Sequence, residues 1–143
     1  MKNMNNEVLE FIRSNPECVL ATSSPDGQPE AATVLFAVSD DFTFYFGTMK
    51  NYRKFGNLLK NKKVAVVVGV RGSNPRTVQA EGEVEILENE DDIDAAKKIF
   101  EEKNPAMKSF MSLSLVYLRL KPRWLRYQDE TKGGADNFKQ IIP

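Results

Sequence analysis

Ten residues near the middle of the chain do most to decide what it can fold into. From Thr77 to Ile86, Val78, Ala80, Gly82, Val84 and Ile86 alternate without a break with Thr77, Gln79, Glu81, Glu83 and Glu85. A strict period of two sends successive side chains to opposite faces, so the segment is a strand with one apolar and one wet face. Strands of that kind belong to antiparallel sheets, because parallel sheets are covered on both sides. Glu81, Glu83 and Glu85 are therefore neighbours on an exposed face, not a catalytic carboxylate pair.

The other strand-like runs are short and follow one another closely. Residues 18–24 (CVLATSS) and 28–38 (QPEAATVLFAV) flank the turn residues Pro25-Asp26-Gly27 and predict a hairpin. Ser39-Asp40-Asp41 turns into 42–48 (FTFYFGT), where Phe42, Phe44 and Phe46 share a side. Residues 63–70 (KVAVVVGV) read as a central strand apolar on both faces, with Gly69 marking a close backbone approach. After the loop at 71–75 and the alternating strand, residues 115–129 (LVYLRLKPRWLRYQD) form a long last strand interrupted at Pro122. These make about six strands, the first three joined without crossover helices. The expected architecture is mainly β, a six-stranded antiparallel split barrel with capping helices, in a single domain over residues 1–143.

Three amphipathic helices complete the pattern. Val8, Leu9, Phe11 and Ile12 predict a helix ending near Ser14 that covers one end of the barrel. A second follows Asn51 as N-cap, with Phe55, Leu58 and Leu59 as its apolar side. The third has acidic residues in its first turn, Ile93, Ala96, Ile99 and Phe100 on one side, and a stop at Asn104-Pro105. A short helical piece is expected around 106–111. The second strand is apolar on both faces, Ala32, Val34, Phe36 and Val38 against Ala31, Thr33, Leu35 and Ala37, which predicts cover by another element, a ligand or a partner chain. The tail from Thr131 is turn-rich, either loose or folded over a site.

Composition narrows the chemistry. Twenty basic and twenty acidic residues cancel, which argues against a generic polyanion binder and hence against nucleic acid as a partner. The chain has no histidine, so it lacks the commonest general base, the usual zinc ligand and the usual haem axial ligand; no metal is expected. The single cysteine, Cys18, cannot form an internal disulfide and lies in an apolar run, as a buried thiol in a reducing compartment would. No signal-peptide core and no run of about 18 apolar residues occurs, so the expected location is the cytoplasm.

One local arrangement departs from helix physics. Lys50, Arg53 and Lys54 crowd the N-terminal end of the second helix, where the macrodipole favours negative charge. A bound anion reverses that sign: backbone N–H groups, the Thr48 hydroxyl and these cations would form a phosphate site. The run continues through Lys60, Lys62 and Lys63, so a solvated basic face accounts for the same residues.

The order and spacing of ATSSPDGQPEAATVLFAV, FTFYFGT, YRKFGNLLKN, KVAVVVGV and RTVQAEGEVEIL resemble the FMN-binding split-barrel family of pyridoxamine 5'-phosphate oxidase-like proteins, across roughly residues 5 to 128. The resemblance implies a homodimer with FMN in a groove at each end of the interface. It places Arg53 and Lys54 on the FMN phosphate with Lys50 and Thr48 nearby. Thr33, Val34 and Leu35 would run along the isoalloxazine, largely through backbone groups. Thr77 and Gln79 lie on a strand whose polar side chains reach flavin, and Trp124 would approach it from the partner chain. The pattern also departs from the oxidase: Ala32 and Ala37 stand where it carries basic residues, Tyr52 stands where it carries serine, and its C-terminal arginine-and-histidine signature is missing. The implied function is an FMN-dependent oxidoreductase acting on a small substrate other than pyridoxamine phosphate, with a non-catalytic FMN carrier or flavin-based sensor as the alternative.

Overall fold

The structure, a computed structural model, describes residues 3–69, 74–110, 115–133 and 137–143. The expected strands at residue 70, the loop at 71–73, the helical piece at 111 and the tail at 134–136 extend beyond the described residues there. In chain order the elements are α1 (Met4–Arg13), β1 (Glu17–Ser23), β2 (Pro29–Val38), β3 (Phe44–Thr48), α2 (Arg53–Lys60), β4 (Lys63–Val68), β5 (Arg76–Ile86), α3 (Glu90–Lys103), α4 (Met107–Phe110), β6 (Val116–Leu120), β7 (Trp124–Asp129) and β8 (Phe138–Ile142).

Six strands close into a ring. The hydrogen-bonded order β4-β1-β2-β3-β6-β5 returns on itself through the β4–β5 pairing, and every pairing is antiparallel. β6 and β7 both pair with β5, so they are the single long strand expected from the sequence. Its interruption at Lys121-Pro122-Arg123 has a physical cause: proline has no N–H for the ladder, and the register against β5 slips by one residue across it. Arg123 N–H, bonded to the Glu81 carbonyl at 2.9 Å, resumes the pairing.

The barrel interior is filled by one face of each strand, the even-numbered residues of β1 to β6 and the odd-numbered residues of β7. Phe36, Phe44, Phe46, Leu118, Leu120 and Leu125 are fully buried there, each stabilising the fold by about 1.5–3 kcal/mol relative to an exposed side chain. α1 closes one end with Val8, Leu9, Phe11 and Ile12, and Phe11 packs on Tyr127 with ring centroids 5.9 Å apart. α3 lies outside the barrel over β2, β3 and β6, where Ala96 and Phe100 meet Leu35, Tyr45 and Tyr117. Asn89 caps α3 by accepting from the N–H groups of Asp91 and Asp92.

Several expectations are corrected. Phe42 is buried but precedes β3, in a turn at φ 65°. The N-cap of α2 is Tyr52, not Asn51. Leu59 is 55% exposed, because the helix turns Asn57 inward instead, where its Nδ2 donates to Thr22 and Glu30. β4 is buried on one face only, since Ala65 points outward, exposed, with Val67 half-buried beside it. The last residues are not loose: Phe138–Ile142 form an eighth strand along β7, with Ile141 and Ile142 packed against the barrel core. The second face of β2 is covered by α3 only toward its end, and Ala31 and Thr33 remain exposed.

Candidate functional site

α2 begins without the provisions that usually complete a helix N-terminus. Its N-cap, Tyr52, sits in extended conformation (φ −83°, ψ 143°) and makes no side-chain capping bond, and its first turn holds no acidic residue. Asn3 and Asn89 supply such bonds to α1 and α3. The N–H groups of Arg53 and Lys54, its first two residues, thus have no side-chain cap, while that of Phe55 donates to the Tyr52 carbonyl at 3.1 Å. Beside them lies a cavity of about 290 Å³ lined by Leu20, Thr22, Glu30, Ala31, Ala32, Asn51, Tyr52, Arg53 and Lys54.

The cations there are held differently. Lys54 is half-buried, its Nζ 4.6 Å from the Tyr52 ring centroid, and burial pulls its pKa below the usual lysine value. Arg53 is 75% exposed and its Nε lies 2.9 Å from Glu30 Oε1. That same oxygen accepts from Asn57 Nδ2 at 2.7 Å, and the Asn57 amide also donates to Thr22 Oγ1 at 3.0 Å. Glu30, Asn57 and Thr22 were not singled out in the sequence. Asn57 could have been, as a polar residue at a position of the helical period that must face the barrel.

The remaining expected site residues fall into separate groups. Lys50 is exposed in the turn before α2 and does not line the cavity. Thr48, on the same side of β3 as Phe44 and Phe46, is 1% exposed, and its hydroxyl is buried without a hydrogen-bond partner. Val34 points into the core, Leu35 packs beneath α3, and Thr33 is exposed. Their backbone has a different situation: from Pro29 to Leu35, β2 pairs with β1 on one edge, whereas β3 engages it only from Phe36 to Val38. Among the described strands, none pairs the second edge of that stretch, which runs beside the α2 cavity.

Thr77, Gln79 and Trp124 sit elsewhere on the barrel. Thr77 donates to Gln128 Oε1 at 3.5 Å, and Gln79 Oε1 accepts from Arg126 Nη2 at 2.9 Å. Arg126 lies over both the Trp124 ring (5.5 Å) and the exposed Phe138 ring (4.2 Å). β1 and β4 separate β2 from β5 around the ring, and none of Thr77, Gln79 and Trp124 lines the α2 cavity. A single chain therefore does not bring it to the α2 cavity.

Other groups have structural partners. Glu85 is held below its usual pKa by the hydrogen bond from Arg119, which also reaches Asp92 at 3.3 Å. Cys18 is fully buried, and burial pushes its thiol up to about 12, so it is not a nucleophile. No cluster of three or more potential metal ligands occurs among the described residues, and no helix among them is long and apolar enough to cross a membrane.

Comparison with known proteins agrees with this architecture. The family model described as pyridoxamine 5'-phosphate oxidase matches residues 4–129, and the chain belongs to that family. Comparison with curated protein sequences gives no match. Among solved structures, the conserved hypothetical protein Rv2991 from Mycobacterium tuberculosis is 24% identical with a TM-score of 0.74, covering 95% of both chains. General Stress Protein 26 from Bacillus anthracis is 21% identical with a TM-score of 0.73, over 98% of this chain and 100% of that one. A heme binding protein from Mycobacterium smegmatis has the same fold at 17% identity and a TM-score of 0.77, over 99% of this chain and 59% of its own. At these identities the likeness is one of fold.

Proposed function

We propose that the chain is an FMN-binding flavoprotein that works in the cytoplasm as a homodimer and serves as an oxidoreductase for a small substrate. The observation that carries this reading is the uncapped start of α2, with Arg53 and Lys54 beside a cavity of about 290 Å³. A phosphate there satisfies open N–H groups, favours the charged form of Lys54 and meets Arg53. The open edge of β2 from Pro29 to Leu35 then offers backbone donors and acceptors to the isoalloxazine. When bound, the flavin supplies the redox chemistry, and the chain's own residues bind and orient it.

Two features support the proposed homodimer. The outer faces of β2, β1 and β4 expose Ala31, Thr33 and Ala65, with Val19, Ala21 and Val67 half-buried among them. Thr77, Gln79 and Trp124 do not line the α2 cavity of their own chain, and a second copy across this face would bring its set to it. Haem fits less well: the chain has no histidine, and its one thiol is in the core.

A non-catalytic flavin carrier or sensor is the second reading. It is favoured because Glu30, the only carboxylate lining the cavity among the described residues, is engaged by Arg53 and Asn57 and so is not placed to move a proton. Titration with FMN and with riboflavin tests the shared part. The R53A/K54A double variant should bind FMN at least tenfold more weakly and leave riboflavin affinity unchanged; equal losses for both ligands would remove the phosphate from this site. Turnover of bound flavin by a reduced nicotinamide and an acceptor separates enzyme from carrier.

A further inference from the structure

Arg53 is three-quarters exposed, yet it is not a free side chain. Its Nε sits 2.9 Å from Glu30 Oε1, and the Glu30 side chain is itself only 14% exposed. The buried Asn57 amide fastens Glu30 in turn, donating to the same Oε1 at 2.7 Å and to Thr22 Oγ1 at 3.0 Å. A carboxylate beside an anion site invites two opposite expectations. As a competitor, Glu30 would occupy Arg53 and repel phosphate. As a strut, it would hold the guanidinium in place by Nε and leave the two terminal amino groups for a ligand.

The attachment favours the strut. The contact is to Nε, the inner nitrogen, and Glu30 is anchored from β2 through Asn57 to β1 before Arg53 is considered. A long flexible arginine loses much rotamer freedom when it binds a ligand, and a fixed partner removes part of that loss in advance. We propose that Glu30 is a positioning residue for the anion site: through the Thr22–Asn57–Glu30 chain it sets Arg53 at the start of α2 for a phosphate-bearing ligand. This rests on the flavin-phosphate reading above.

The test is FMN titration of the intact chain and three variants, with inorganic phosphate as competitor. E30Q retains an oxygen that accepts from Arg53 and Asn57, and should bind FMN within about threefold of the parent. E30A, and E30D, which shortens the strut by one methylene, should bind about tenfold more weakly. In an R53A background the E30A effect should vanish, which a general loss of structure would not do. Should E30A fail to fold, E30D in both backgrounds gives the same comparison. Tighter FMN binding by E30A, E30Q or E30D, no change in E30A or E30D, or an E30A loss that persists in R53A would each overturn the proposal. Absence of FMN binding by the intact chain would instead overturn the reading on which it rests.

Discussion

Gly69 shows how far a single residue can be argued. It has φ +91°, and a Cβ there would stand 2.6 Å from the Arg76 carbonyl oxygen and 2.7 Å from Phe11 Cζ. Gly69→Ala should cost about 2–4 kcal/mol, read as a lower urea midpoint. Cys18 carries a pH prediction. Burial raises its pKa from the ordinary 9.0 to about 12, so its stabilising effect is complete below pH 9 and is lost as pH rises toward 12. Lys103, lowered to about 8 by burial, acts in the opposite sense, adding stability as pH rises from about 8 to 10.5. C18A removes the Cys18 effect and its coupling to Lys103 but leaves the burial that lowers Lys103, so the gap in urea midpoint between the parent and C18A should narrow from pH 8 to pH 10. Gly69 was legible in the sequence because glycine in an apolar run has few uses. For Asn57 the helical period could show an inward position but not its partners, because the two acceptors come from distant strands.

At the level of elements, the open start of α2 predicts a conflict between stability and binding. Tyr52→Asp would give the helix a side-chain cap and a favourable charge at its positive end, raising stability by about 1 kcal/mol. The same carboxylate would take the N–H groups assigned to phosphate and repel it, so FMN affinity should fall while the melting temperature rises. The capped α3 gives the converse: Asn89→Ala should lower stability by about 1 kcal/mol without touching FMN binding. The β5 alternation and the break at Pro122 were legible because period and proline act locally. β8 was not, since Phe138–Ile142 has no alternation of its own and is held as a strand by β7, with a register shift between Leu125 and Arg126.

For the whole molecule, the sequence showed that β2 and β4 carry apolar residues on both faces but not what covers them. α3 covers Leu35, whereas Ala31, Thr33 and Ala65 remain exposed in the single chain. The candidate site is divided in the same way: the cations at the start of α2 were legible, while Thr77, Gln79 and Trp124 do not line the cavity of the single chain and would meet it only in the proposed homodimer. Ala65→Glu, at an exposed position in the chain, should leave the fold's circular dichroism unchanged, convert the proposed dimer to monomer in sedimentation, and weaken FMN binding with it. The most direct test of the central claim is FMN titration of the intact chain, followed by its visible spectrum and fluorescence. The account predicts saturable binding of one FMN per chain, with riboflavin bound at least tenfold more weakly; no saturable binding, or riboflavin bound equally well, would contradict it.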